Sequence, residues 1–268
     1  MPSISLTNPA NITRLEFNAI GTQKLGGTIQ SLSQFVNLED IQMTNHELIG
    51  SIPDLSNNTA LTNLSFSDNQ VTGSIPSLSG LTQLRNFYCS RNRLTGSIPS
   101  LSGLTQLRNF YCGQQAGVTK LTGPIPSLSG LTQLRKFYCD QNQLTDSIPS
   151  LSGLTQLRNF YCFSNQLTGS IPSLSGLTQL RTFSCSTNQL TGFDGGSVSI
   201  TLGYFSARNN QLTSTAVDAI LAAFVAANKT TGTRILNLGD TGNAAPTGGA
   251  SNPDVVTLRA RGWSVTIN

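Results

Sequence analysis

The chain of 268 residues is long enough for one or two compact domains or a single elongated array, and only 10% of it is charged, with a net charge of +4. That composition excludes a surface knitted by dense ion pairs, so polar groups must be satisfied by hydrogen bonds between repeated elements. No window offers about 18 consecutive apolar residues, which excludes a membrane-spanning helix.

Charge is unevenly placed. Glu16, Glu39, Asp40, Glu47, Asp54 and Asp68 make the start acidic, whereas no acidic residue occurs from Asn69 to Cys139. Arg85, Arg91, Arg93, Arg108, Lys120, Arg135 and Lys136 gather in that stretch. A basic middle attracts anionic partners at long range without naming them. The N-terminus has no basic segment followed by an apolar one, so no secretory leader is expected.

The first predicted units are loose copies. Ile12, Leu15, Phe17, Leu25, Ile29 and Leu32 form one, and Leu38, Ile41, Met43, Leu48, Ile52 and Leu55 the next. Leu61, Leu64, Phe66, Asn69, Val71, Ile75 and Leu78 form a third. Then the string Ser-Leu-Ser-Gly-Leu-Thr-Gln-Leu-Arg starts at Ser77, Ser100, Ser127, Ser150 and Ser173, at intervals of 23, 27, 23 and 23 residues. A later copy runs through Leu202, Phe205, Ala207, Asn210 and Leu212, and a further one is suggested at Ile235–Leu238.

The spacing dictates geometry. Phe87 and Cys89 are two apart and share one face of a strand, while Tyr88 points the other way. So short a strand cannot stand alone. Stacked copies pair their strands in parallel, and Leu81, Leu84, Phe87, Cys89, Leu94, Ile98 and Leu101 build one continuous core. Asn92 ends the strand, where its side chain bonds the turn backbone, with equivalents at Asn69, Asn142, Asn165, Asn188 and Asn210 and His46 in an early copy. The copy with extra residues around Gly113–Lys120 is expected to lose this register.

The unit Leu81–Pro99 resembles the plant-type class of the leucine-rich-repeat family: Leu-x-x-Leu-x-x-Leu-x-Leu-x-x-Asn-x-Leu-Thr-Gly-x-Ile-Pro, with Phe87 and Cys89 in the last two strand positions. The segments Leu-Thr-Gly-Ser-Ile-Pro at 94–99 and 167–172 are its most specific part, and the resemblance covers about residues 9 to 215. It implies an α/β repeat solenoid, curved, with a parallel β-sheet on the concave side and ligand binding there. Residues 1–213 are read as the array, with the first coil as an N-terminal cap.

Residues 214–268 are read as a C-terminal α/β cap. A helix is predicted from Ser214, with Thr213 or Ser214 as N-cap and Val217, Ile220, Leu221 and Phe224 as its apolar stripe. A strand at Arg234–Leu238, a short helix at Asp254–Arg261 and a last strand at Trp263–Ile267 follow. The Gly-Asn-Ala-Ala-Pro loop and the final Gly-Trp-Ser-Val-Thr-Ile-Asn are similar to segments of some bacteriophage structural proteins.

Four side-chain rows emerge from the register. Tyr88, Tyr111, Tyr138 and Tyr161 occupy one outward position, with Ser184 after them and Asn86, Asn109, Lys136 and Asn159 beside them. An aromatic row with polar neighbours stacks on sugars or anchors a protein partner, or its rings simply pack on each other. Arg85, Arg108, Arg135, Arg158 and Arg181 form the second row, either solvated or pairing with tyrosine rings. Cys89, Cys112, Cys139, Cys162 and Cys185 form the third, read as small inward residues synthesised in a reducing cytoplasm rather than as ligands or nucleophiles. Thr82, Thr105, Thr132, Thr155 and Thr178 form the fourth, where local turn bonding is expected and a water-organising, ice-binding array is the alternative.

Catalysis is not expected. His46 is the single histidine, carboxylates are scattered, and no phosphate loop, dinucleotide fingerprint or zinc pattern occurs. Cofactor and metal are therefore expected to be none. Low charge and the lack of a matching fold signature argue against nucleic acid. The expectation is a recognition or adhesion module that binds a protein or glycan through the tyrosine row, with the arginines and Lys136 as electrostatic partners. Its setting would be a phage particle or bacterial surface, with assembly into a larger particle. The alternative is a structural spacer.

Overall fold

The computed structural model describes residues 11–16, 24 and 26–268. Phe17 and Leu25, expected in the first copy, lie outside the described residues. In each repeat the chain extends for three residues, as in Asn86–Tyr88, and then turns. In Asn86–Tyr88, Asn109–Tyr111, Lys136–Tyr138 and Asn159–Tyr161 the middle residue is buried and its two flanks are half-buried, the period of two that the sequence carries. Equivalent strands pair in parallel without slippage: Asn86, Phe87 and Tyr88 lie beside Asn109, Phe110 and Tyr111, and these beside Lys136, Phe137 and Tyr138. The result is an 11-stranded parallel sheet from Arg14–Glu16 to Ser264–Thr266. Parallel neighbours need a long crossover, and here the rest of each repeat supplies it.

The core is a set of ladders. Leu81, Leu84, Phe87 and Cys89 are fully buried, and Ile98 and Leu101 are at most 4% exposed. Phe87, Phe110, Phe137, Phe160, Phe183 and Phe205 stack along the sheet with ring centroids 5.2 to 5.6 Å apart. Such aromatic pairs add to the area that each ring buries.

A second ladder of amides closes the strand ends. Asn92 Oδ1 accepts the Val71 N–H at 3.0 Å, while its Nδ2 donates to the Phe66 and Cys89 carbonyls at 2.8 and 3.1 Å. The expected break at the long repeat does not occur. Gln115 takes the same place, accepting from Leu94 at 3.1 Å and donating to Cys89 and Cys112 at 3.0 Å. The extra residues follow Gln115, so they loop out without disturbing the strand. Asn243 carries the ladder into the C-terminal segment, accepting from Leu212 and donating to Ala207 and Leu238.

The coil backs turn on glycine and serine. Gly80, Gly103, Gly130, Gly153 and Gly176 hold φ of 80° to 89°, and a Cβ at any of them would meet nothing within 4 Å. Backbone conformation, and not space, fixes glycine there. Ser77, Ser100, Ser127, Ser150 and Ser173 each accept the N–H two residues on at 3.2 to 3.3 Å. Of the serine and threonine rows on the coil backs, it is the serines that make the expected local turn bonds.

Helix α1 (Ser214–Ala227) is capped by Thr213, whose hydroxyl accepts from Ala216, and ends at Asn228 with φ 52°. It buries Val217, Ile220, Leu221 and Phe224. Helix α2 (Pro253–Ala260) is capped by Asn252. The strands Ile235–Asn237 and Ser264–Thr266 extend the same sheet.

Candidate binding surface on the concave sheet

Strand register brings the predicted tyrosines into one line. Tyr88 and Tyr111 have ring centroids 4.8 Å apart, Tyr111 and Tyr138 4.3 Å, and Tyr138 and Tyr161 4.5 Å. The last two pairs are stacked, and every ring is half-buried. Desolvation by the neighbouring rings pushes the Tyr111 hydroxyl up and the Tyr138 hydroxyl up to about 12. These two hydroxyls therefore stay protonated at physiological pH. Phe163 meets Tyr161 edge-on at 6.2 Å and widens the aromatic strip.

The neighbouring outward position is an amide chain at first. Asn86 Nδ2 donates to Asn63 Oδ1, and Asn109 Nδ2 donates to Asn86 Oδ1 at 2.6 Å. Lys136 interrupts it with a half-buried cation. Asp140 lies over Gly113, where a Cβ would sit 2.6 Å from its carboxylate. It is 3% exposed, and its Oδ2 has no hydrogen-bond partner. Desolvation raises its pKa above the usual carboxylate value.

Arg85, Arg108, Arg135, Arg158 and Arg181 sit one residue before their strands, at the edge where the chain enters the sheet. Expected pairing with the tyrosines does not form. Each arginine lies three residues before its tyrosine, and among the described residues no guanidinium of the row contacts a tyrosine ring. Among the described residues these guanidiniums make no ion pair or side-chain hydrogen bond, and the buried Nε atoms of Arg108, Arg135 and Arg158 have no partner. The row is therefore an unneutralised cationic edge.

The cysteine row is buried and reduced. Desolvation pushes all five thiols well up, so thiolate chemistry is suppressed. Among the described residues no group of three or more His, Cys, Asp or Glu side chains is placed to hold a metal, and no helix is long and apolar enough to cross a membrane.

Beyond Tyr161 the surface changes. Thr182 and Ser184 present hydroxyls, and the following strand brings Tyr204 opposite Thr182. Two voids of about 290 and 260 Å³ open here and share Thr182 and Tyr204. Tyr204 was missed from sequence because it occupies the other outward position, out of the repeat's tyrosine phase. Phe163 was visible as a departure from Ser90 and Ser186 in the aligned copies.

A family model described as leucine-rich repeats (2 copies) matches residues 155–195, within the same stacked strands. The chain is a leucine-rich-repeat solenoid. Solved structures agree with that assignment. The ectodomain of the plant membrane receptor kinase GASSHO1/SCHENGEN3 from Arabidopsis thaliana, solved with Casparian strip integrity factor 2, is 29% identical with a TM-score of 0.64, over 76% of this chain and 25% of that one. A TDR receptor is 25% identical with a TM-score of 0.65, over 81% of this chain and 41% of that one. The leucine-rich-repeat chain thus spans well under half the length of either receptor structure. A plant ice-binding protein shares the fold at 23% identity and a TM-score of 0.56, over 75% of this chain and 66% of that one. No curated protein matches the sequence.

Proposed function

We propose that the chain is a non-enzymatic recognition module that binds a protein or glycan through its concave sheet. Tyr88, Tyr111, Tyr138 and Tyr161 are its anchors, and Arg85, Arg108, Arg135, Arg158, Arg181 and Lys136 steer an anionic partner. One observation carries this reading: a continuous, half-exposed aromatic strip runs beside a cationic edge that nothing in the fold neutralises. Rigid tyrosines bury much area at small entropic cost, and contiguous exposed aromatics mark contact surfaces. Receptor ectodomains of the same fold add support, the Arabidopsis one having been solved with a named partner. Residues 214–268 act as the cap.

The test changes Tyr111 and Tyr138 to Ala together and screens both proteins on a glycan array and a panel of bacterial surfaces. Retention of the wild type and its loss in the double variant, at unchanged melting temperature, is the expected result. Equal behaviour of the two proteins would leave a structural spacer as the reading.

One observation favours a second reading. Thr82, Thr105, Thr132, Thr155 and Thr178 are exposed, and among the described residues their hydroxyls bond nothing. A regular row of free hydroxyls can order water. Thermal hysteresis that falls when Thr105, Thr132 and Thr155 are changed to Tyr would support ice binding over partner recognition.

A further inference from the structure

We infer that the place where the tyrosine ladder stops is a subsite for a carboxylate-bearing sugar; this rests on the concave sheet being a recognition surface. Tyr161 ends the ladder with Phe163 edge-on to it at 6.2 Å. The next strand offers only Thr182 and Ser184, and the strand after it raises Tyr204. Aromatic walls therefore stand two strands apart and two residues out of step, about 11–12 Å at ~4.8 Å per strand and ~3.3 Å per residue, over a floor of hydroxyls. The two voids, of about 290 and 260 Å³, share that floor and together fall within the ~300–1,000 Å³ of small-molecule sites. Ser184 is 6% exposed and lines one void, yet its hydroxyl has no hydrogen-bond partner among the described residues. That oxygen keeps access to the void, so it is free to meet a sugar hydroxyl.

Charge marks the other end. The arginine row stops at Arg181 because the residue beside it on the next strand is Gly203, where a Cβ would lie 2.5 Å from the Thr233 carbonyl oxygen. The guanidinium of Arg181 therefore has a like neighbour on one side only and opens into the void. Lys229, just past α1, donates one Nζ proton to the Ile200 carbonyl at 2.9 Å and has two donors left. No acidic residue lines either void. A carboxylate is the complementary group.

The floor distinguishes a sugar from a peptide. The strand Thr182–Ser184 is paired on both sides, so its backbone offers nothing to a peptide main chain. Side-chain hydroxyls of Thr182, Ser184 and Tyr204 suit sugar hydroxyls, and the aromatic rings suit the apolar face of a pyranose.

The test uses calorimetry with glucuronic- and sialic-acid-terminated oligosaccharides, their carboxyl-reduced counterparts, and hexaglutamate. An acidic sugar should bind at least tenfold tighter than its reduced form. Arg181→Gln should erase that difference while leaving the reduced form's affinity unchanged. Tyr204→Ala should weaken both forms at least tenfold, whereas Val118→Ala, on the exposed expanded turn away from the sheet, should leave both unchanged. Equal affinity for acidic and reduced sugars, insensitivity to R181Q, or hexaglutamate binding as tightly at the Tyr204-dependent site would overturn the assignment. So would failure of every acidic sugar to bind. If that failure comes while the Tyr111/Tyr138 variant still loses retention on surfaces, recognition by the sheet stands and this subsite falls.

Discussion

Gln115 Oε1 accepts the backbone N–H of Leu94 at 3.1 Å, the bond that Asn92 makes to Val71 at 3.0 Å one coil earlier. A longer side chain thus does the work of asparagine in the one repeat whose following turn is expanded. Gln115→Leu would strand the buried Leu94 N–H and leave the Cys89 and Cys112 carbonyls with the Asn92 and Asn142 amides as their remaining donors. The expected loss is about 3 kcal/mol, read by chemical denaturation. A loss within ~0.5 kcal/mol, the range of ordinary surface changes, would show that the amide ladder is dispensable here.

The repeat, the alternation of Phe87, Tyr88 and Cys89, and the cap helix were legible because each is a local pattern with a period. Gln115 was not, because matching by residue type hides a substitution that keeps hydrogen-bonding capacity while changing length. Asn243 escaped for a different reason: a helix and a strand intervene before it rejoins the ladder at Leu212. The tyrosine line followed from register alone. Its end did not, since the trough depends on Thr182, Ser184 and Tyr204 lying on adjacent strands in different outward positions. The arginines were legible as a row, but their lack of contact with the tyrosines was not.

Phe224 links α1 to the phenylalanine ladder. Its ring lies edge-on to Phe205 at 5.3 Å and to Trp263 at 5.2 Å. A solenoid needs its open core end covered, and this ring is the cover. Phe224→Ala is expected to cost about 3–5 kcal/mol. Hydrogen exchange should rise first in the strands Tyr204–Ser206, Ile235–Asn237 and Ser264–Thr266. Uniform acceleration along the whole sheet would mean that the array unfolds as one unit and that α1 is not a local cap.

Asp140 gives stability a pH dependence of unusual sign. Its carboxyl titrates at 3.8 when unperturbed and higher in the folded chain, because burial disfavours the charged form. The folded state therefore binds the proton at pH values where the unfolded chain has released it. The penalty is complete above the folded value and fades as pH falls through that value toward 3.8. Asp140→Asn should be more stable than wild type at pH 7, with the difference shrinking on acidification. A difference that grows on acidification would reverse the sign and point to a stabilising partner for the carboxylate.

The arginine row sets stability against charge. Neighbouring guanidiniums one strand apart, at ~4.8 Å, repel by about 0.9 kcal/mol per pair in water-like surroundings, and Arg135 has such a neighbour on each side. Its Nε is buried without a partner, so the fold draws no compensating bond from it. Arg135→Met keeps the apolar stem while removing the charge and the unpaired donor. Stability at low salt should be unchanged or higher by up to ~1.7 kcal/mol, two such pairs, and the gap should close near 1 M salt, where screening acts within about 3 Å. A variant that is less stable by an amount salt does not alter would make the guanidinium structural. If the row steers an anionic partner as proposed, the same variant should slow association with that partner while leaving the tyrosine contacts in place.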